Sequence, residues 1–201
     1  GTTTKSSPQG SIDHPIDPIS FALGAGATFV ARTIDVDATH MQQTLRRAHA
    51  HKGTAFVEIL QNCPVFNDGV WEDVQNRKTR IESSISLVQG EPLVFGSPGN
   101  LKGVVMIGGD PSVIDLADDD DPREKGVVVH DEFLDSTAYA FALATLSRPD
   151  FPLPVGVLRE STKEPYEQML SAQIDDAIAT KGPGDLEALL NSGDTWTVGT
   201  K

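Results

Sequence analysis

The reactive group that stands apart in this sequence is one thiol, Cys63, set in Gln61-Asn62-Cys63-Pro64-Val65-Phe66-Asn67. The apolar run Thr54 to Leu60 just before it predicts a buried strand, so the thiol falls at that strand's carboxyl end, the edge where open α/β sheets bind ligands. Pro64 lacks an N–H and fixes the turn. Spacing alone leaves two readings open, a small buried hydrophobe or a functional thiol. Gly24-Ala25-Gly26 precedes a predicted strand, whereas a dinucleotide fingerprint follows one, so these glycines read as a helix stop and tight turn. Asp118 to Asp121 matches no EF-hand spacing and reads as a solvated acidic loop. His40, His49 and His51 lack the i, i+4 spacing of a metal pair and read as surface histidines. No Gly-x-Ser-x-Gly elbow and no Gly-Lys-Ser/Thr phosphate loop occurs, and no nucleophile can be paired with a base from sequence.

The elements that must position Cys63 come from the first third of the chain. A polar loop through Pro18 leads to a short helical turn at Ile19 to Leu23. Ala27 to Arg32 is apolar and β-branched or aromatic, as a strand buried on both faces should be. Asp37 offers an N-cap, Met41, Leu45 and Ala48 recur at helical spacing, and Gly53 sits where a C-terminal cap belongs. Strand, helix and strand predict a βαβ crossover. Two parallel strands cannot stand alone, so the remaining strands are expected from missing sequence or another chain. Beyond Trp71 a polar linker is predicted over Gln75 to Arg80. Short extended segments follow around Ile85 to Val88, Leu93 to Phe95, Val104 to Ile107, Val127 to His130 and Pro154 to Leu158. Helices are predicted over Asp135 to Leu146 and Glu164 to Thr180, the second carrying Tyr166, Met169, Leu170, Ile174 and Ile178 on one side. Asp194 to Val198 is predicted to be extended.

Composition bounds the partners. The 201 residues are 38% hydrophobic and 22% charged, enough apolar material for a real core. Sixteen basic and 29 acidic side chains give a formal charge of -13, which argues against a general nucleic-acid binder and against a basic membrane-surface protein. Residues 1–80 hold 8 of each sign, and 81–201 hold 8 basic and 21 acidic. The whole negative excess therefore lies in the second part. On charge and pattern the expected division is an α/β region over 1–75 and an acidic α+β arm over 76–201. A single cysteine excludes an internal disulfide, and neither a long apolar span nor an export signal is present, so a cytoplasmic setting is expected. The opening Gly1-Thr2-Thr3-Thr4-Lys5-Ser6-Ser7-Pro8 reads as the inside of a loop, and the chain is expected to be a portion of something longer.

The run from Thr4 through Pro15, continued by Asp17 to Arg32, resembles the thiamine-diphosphate-binding β subunit of 2-oxoacid:ferredoxin oxidoreductases. The likeness continues through Ala50 to Ala55, Glu58 to Gly69 and Gly90 to Gly96, and returns at Tyr139 to Leu143 and Gly193 to Val198. Its details look most like the 2-oxoglutarate type. The resemblance implies the C-terminal half of a thiamine-diphosphate-binding parallel-sheet domain. It implies coenzyme A-dependent oxidative decarboxylation of a 2-oxoacid, with electrons passing through iron–sulfur chemistry to ferredoxin. It also implies that Cys63 is one ligand of a [4Fe–4S] cluster, and that Thr4, Lys5 and Ser6 border the thiamine diphosphate loop. The family's Cys-x-x-Cys, its Gly-Asp-Gly-Asp motif for Mg²⁺ and diphosphate, and its Gly-Leu-Thr-Lys-Gly-Gln loop would all lie before Gly1. Thiamine diphosphate, Mg²⁺ and the cluster are thus expected to need the N-terminal portion of the same subunit, and the chain by itself is expected to be inactive. The implied partners are the α subunit, ferredoxin, coenzyme A and the oxoacid. Because ferredoxins of this class are generally acidic, the acidic part is expected to contact a subunit and not ferredoxin. A non-enzymatic assembly piece with a structural or redox-sensing cysteine is the competing reading.

Overall fold

The first third folds as its pattern requires. In the computed structural model, residues 3–5, 7–196 and 198–199 are described. Helix α1 (Pro18–Gly24) starts on Asp17, whose carboxylate accepts from the Ile19 N–H and from Ser20 Oγ, with Pro18 at the position that needs no N–H. Gly26, at φ 86°, turns the chain into β1 (Phe29–Ile34), which is buried at every residue. Helix α2 (Ala38–Ala50) is capped by Asp37 accepting from the His40 N–H, and it returns the chain to β2 (Ala55–Leu60). β1 and β2 pair in parallel from Phe29↔Ala55 to Ile34↔Leu60. Arg32, buried inside β1, is neutralised by Glu58 of β2 at 2.5 Å, as a charge removed from water must be.

The rest of this sheet departs from the all-parallel expectation. Its order is β2-β1-β7-β3, with β3 (Ser84–Leu87) and β7 (Leu153–Glu160). β7 runs antiparallel to β1 and parallel to β3, so the sheet is mixed and this chain supplies its third and fourth strands itself. β2 is its outer strand, and its residues are mostly half-buried or exposed, where a run of its composition predicts full burial. The division expected after residue 75 is therefore not a division of the fold. The contacts separate Gly1–Lys163 from Glu164–Lys201, because β7, far along the acidic part, completes the sheet begun by β1. An apolar β7, buried from Leu153 to Arg159, gains more from two sheet neighbours than charge patterning can reveal.

The segment predicted as a polar linker is helical, with α3 (Glu72–Gln75) and α4 (Arg77–Ser83). Asn76 caps α4 by accepting from the Lys78 N–H, a signal present in the sequence but outweighed by polarity. A second, antiparallel sheet has the order β4-β5-β6, formed by β4 (Val94–Phe95), β5 (Leu101–Ile107) and β6 (Asp110–Leu116). Val127 to His130 forms no named strand, only a bridge from Val129 to Pro92. Helix α5 (Thr137–Thr145) packs on β7. One apolar cluster, including Ile19, Leu23, Val30, Ile85, Leu93, Val104, Leu143 and Leu158, joins both sheets to α1 and α5. In the second unit, α6 (Tyr166–Lys181) and α7 (Leu186–Leu190) bury none of their residues. No helix among the described residues is long and apolar enough to cross a membrane.

Gly156 makes the seating of β7 possible. It adopts φ 139°, and a Cβ there would stand 2.7 Å from Leu87 O and 2.8 Å from Leu87 Cβ. Gly156→Ala is expected to destabilise the chain by about 2–4 kcal/mol, from backbone strain plus overpacking against β3. A denaturant midpoint unchanged from the parent chain would refute this.

Candidate functional site

Both parallel strands deliver their carboxyl ends to one edge of the sheet. β1 leads there to Asp35 and Asp37, β2 leads to the Cys63 loop, and β7 starts from that edge because it runs the other way. The loop after β2 is stitched closed. Cys63 pairs with Asn67 as an isolated bridge, with the Asn67 N–H donating to Cys63 O at 2.9 Å. The Asn62 side chain donates to Asp68 Oδ1 at 2.9 Å and accepts from the Gly69 N–H at 2.8 Å. Backbone N–H groups of Phe66, Val65 and Asn67 converge on the thiol, Phe66 contributing most, and lower its pKa by stabilising the thiolate. Cys63 is unpaired and half-exposed, so the reading as a small buried hydrophobe does not hold for it.

Thr4 and Lys5 come to this same loop. Together with Pro64, Val65 and Phe66 they line a cavity of about 390 Å³, bringing the two sequence-predicted site segments together. Ser6, the third residue of that set, lies outside the described residues. Thr4 and Ser7 exchange backbone hydrogen bonds of 3.2 and 3.1 Å, which shapes the turn that presents Lys5. Val65 and Phe66 expose large apolar surface, 75% and 61%, unlike ordinary turn residues. A polar hollow of about 690 Å³ lies on the far side of the loop, lined by Asn62, Asp68, Gly69, Glu72, Gln75 and Asn76.

Other predicted features sort differently. His40 and His51 are not surface histidines. His40 Nδ1 lies 2.8 Å from Thr33 Oγ1, and burial pushes its pKa down. The His51 side chain is 5% exposed and its Nε2 is 2.7 Å from Thr28 Oγ1. Both face the sheet because α2 must lay its inner side on β1, and short polar partners there satisfy the ring nitrogens. The acidic run behaves as a solvated loop. Asp118 accepts from the Gly99 N–H, Asp120 pairs with Lys125, and Asp121 caps the Arg123 N–H. Gly24-Ala25-Gly26 ends α1, as placement predicts. Among the described residues no group of three or more His, Cys, Asp or Glu side chains is placed to hold a metal ion.

Sequence reasoning missed the arginines at this edge. Arg148 stacks over Trp71, 4.8 Å from the ring centroid, and pairs with Asp73. Arg80 donates to Val74 O and Gln75 O and pairs with Asp37. The basic run Arg77-Lys78-Thr79-Arg80 was the available signal, hidden within a stretch whose polarity suggested a linker.

Comparison with known proteins agrees with this architecture. The family described as "Thiamine pyrophosphate enzyme, C-terminal TPP binding domain" matches residues 1–59. The 2-oxoglutarate oxidoreductase subunit KorB of Mycobacterium tuberculosis is 41% identical over 98% of this chain and 52% of its own length. The 2-oxoacid:ferredoxin oxidoreductase subunit beta of Saccharolobus solfataricus is 43% identical over 34% of this chain and 22% of its own. Among solved structures, a 2-oxoglutarate:ferredoxin oxidoreductase from Magnetococcus marinus, with 2-oxoglutarate, coenzyme A and succinyl-CoA bound, shares the fold at a TM-score of 0.56. It is 18% identical, with 96% of this chain and 50% of that chain covered. The chain spans about half the length of the mycobacterial relative and of the solved structure.

The thiol gives a direct test of the loop geometry. Because three N–H groups favour the thiolate, alkylation of Cys63 by iodoacetamide should reach half its limiting rate at a lower pH than a free cysteine. Phe66→Pro, which removes the principal donor, should move that midpoint upward. Coincident profiles for parent and variant would refute the assignment.

Proposed function

We infer that this chain, similar over 98% of its length to a 2-oxoglutarate oxidoreductase subunit KorB and over 34% to a 2-oxoacid:ferredoxin oxidoreductase subunit beta, works as part of a 2-oxoglutarate-type 2-oxoacid:ferredoxin oxidoreductase. The reaction is coenzyme A-dependent oxidative decarboxylation of a 2-oxoacid to acyl-CoA and CO₂. The carboxylate leaves as CO₂, the acyl carbon becomes bonded to the thiol sulfur of coenzyme A, whose proton goes to solvent, and the two released electrons pass one at a time to oxidised ferredoxin. What carries this reading is the state of Cys63, a half-exposed thiol with a lowered pKa at the carboxyl edge of a parallel pair.

The loop fits one corner of a [4Fe–4S] cluster. Ligand thiolates are tuned by N–H donors, and the backbone N–H groups of Phe66, Val65 and Asn67 lower the pKa of this thiol. The chain's single cysteine supplies one of four ligands, so the other three must come from elsewhere. When bound, the cluster would supply one-electron relay chemistry. Phe66 and Val65 would keep water from one side of it, lowering the local dielectric. Lys5, across the shared cavity, would place a positive charge near an anionic cofactor. Thiamine diphosphate and Mg²⁺ would need further ligands from outside this chain. The outer edge of β2 offers backbone groups to which further parallel strands of such a domain can pair.

The second unit suits a subunit contact. α6 carries Tyr166, Met169, Leu170, Ile174 and Ile178 as exposed apolar residues, and burying them against a partner would add stability. The acidic residues beside it would repel an acidic ferredoxin.

Two measurements test these roles in the assembled enzyme. Cys63→Ser should lose iron and the cluster absorbance and abolish 2-oxoglutarate- and coenzyme A-dependent ferredoxin reduction while the heteromer still forms, since an alkoxide is a poor iron ligand of nearly equal volume. Full iron content in that variant would leave the non-enzymatic reading of the thiol standing. Leu170→Asp combined with Ile174→Asp should weaken association with the α subunit by about tenfold or more in sedimentation. Unaltered assembly would show that α6 contacts something else.

A further inference from the structure

A cleft at the same sheet edge, separate from the thiol loop, has the composition of an anion site. It encloses about 460 Å³ and is lined by Asp37, Arg77, Arg80, Ile81, Ser84, Ser86, Val94, Phe95 and Gly96. Asp37 follows the carboxyl end of β1, and Ser84 begins β3 opposite Leu153. The cleft therefore opens where α/β sheets of this kind receive ligands.

We propose that this cleft binds a phosphoryl group carried on an apolar or aromatic body. Arg80 is held in place by three contacts: Nε donates to Val74 O at 2.6 Å, Nη2 donates to Gln75 O at 3.0 Å, and Nη1 pairs with Asp37 at 3.3 Å. A guanidinium has five N–H donors, so two remain on a group whose orientation is fixed before any ligand arrives. Arg77, one helical turn earlier, is exposed and has no hydrogen-bond or ion-pair partner among the described residues. Strand alternation puts Ser84 and Ser86 on one face of β3, opposite buried Ile85 and Leu87. Ser84 Oγ already donates to Arg80 O, whereas Ser86 is exposed with its hydroxyl uncommitted among the described residues.

Two guanidinium cations against one carboxylate leave a local positive charge in a chain whose formal charge is -13. Long-range attraction would not bring an anion to this protein, so binding here must come from short, directed contacts. A phosphoryl group offers more acceptor positions than a carboxylate and matches donors arriving from two arginines and a hydroxyl. The cleft is much larger than one phosphate, and Ile81, Val94 and Phe95 give its remaining wall an apolar and aromatic surface. This inference stands apart from the cluster assignment, because none of its residues belongs to the Cys63 loop.

Calorimetric titration of the full chain at low salt tests it, with inorganic pyrophosphate, ADP and malonate as probes. Pyrophosphate should bind, ADP should bind more tightly through its apolar face, and malonate should bind at least about tenfold more weakly than pyrophosphate. Arg77→Ala, at an exposed position without partners, should keep the parent circular dichroism spectrum while weakening pyrophosphate by about tenfold, as loss of one charge-assisted contact implies. Ser86→Ala should weaken it less. Absence of pyrophosphate binding, equal binding of malonate, or an unchanged affinity in Arg77→Ala would overturn the phosphoryl site. Equal affinities for ADP and pyrophosphate would overturn the assignment of Ile81, Val94 and Phe95 to the ligand's body.

Discussion

β7 lies between β1 and β3, and most of the larger unit depends on that insertion. The strand is buried from Leu153 to Arg159, pairs with β1 antiparallel through a register shift at Val30/Ala31, and pairs with β3 in parallel. Without it, β1 would present an unpaired inner edge and β3 would have no sheet to join. A run of central-strand backbone would then be left without hydrogen-bond partners. The two charges inside these strands are handled by the same arrangement. Arg32 reaches Glu58 on one side and Pro154 O on the other, and Arg159 donates to Leu134 O and Asp135 O, which anchors the segment leading into α5. Among the described residues, every buried side-chain nitrogen or oxygen has a partner.

A second set of contacts ties α2 to the far end of β7. Arg47 pairs with Glu132 at 2.8 Å and Glu160 at 2.5 Å and stands 5.8 Å over the Phe29 ring. The two carboxylates and their hydrogen bonds hold the guanidinium firmly in its charged form. Beneath it His130 is completely buried. Its Nε2–H donates to Val157 O at 2.9 Å, and its Nδ1 accepts from the Tyr139 hydroxyl at 3.0 Å. This arrangement belongs to the neutral imidazole, in keeping with a pKa pushed down by burial. Sequence segments more than 80 residues apart are thereby fixed at the amino end of β1, leaving the carboxyl edge to carry the candidate chemistry.

That edge gathers groups of different kinds without mixing them. The Cys63 loop presents a thiolate-favouring cradle beside Thr4 and Lys5, while the arginines of α4 and the 148 position sit around α3 and β3. The segregation follows from strand direction: β2 ends into the thiol loop, and only after α3 and α4 does the chain reach the β3 start. An acidic protein can keep a locally positive cleft because exposed charges more than about a Debye length away are screened.

The sequence by itself determined the elements that depend on neighbours within a few residues. Asp17 and Asp37 as caps, the alternation of α1, β1, α2 and β2, the parallel pairing of β1 with β2, and the location of Cys63 beyond β2 were all legible, because capping, burial periodicity and crossover length are local rules. The resemblance carried by Thr4 to Arg32 and Glu58 to Gly69 singled out Thr4, Lys5 and Cys63 separately, and the structure brings Thr4 and Lys5 to the Cys63 loop. Tertiary structure alone decided which strand pairs with the other side of β1. Leu153 to Glu160 is apolar enough for any central position, and only the assembled sheet seats it antiparallel to β1 and parallel to β3, with Gly156 against Leu87. It also decided that His40 and His51 turn inward onto Thr33 and Thr28, and that a polar stretch around Arg77 and Arg80 winds into helix and walls a cleft. Burial and partnership of those side chains are set by segments distant in sequence, and local pattern holds no record of them.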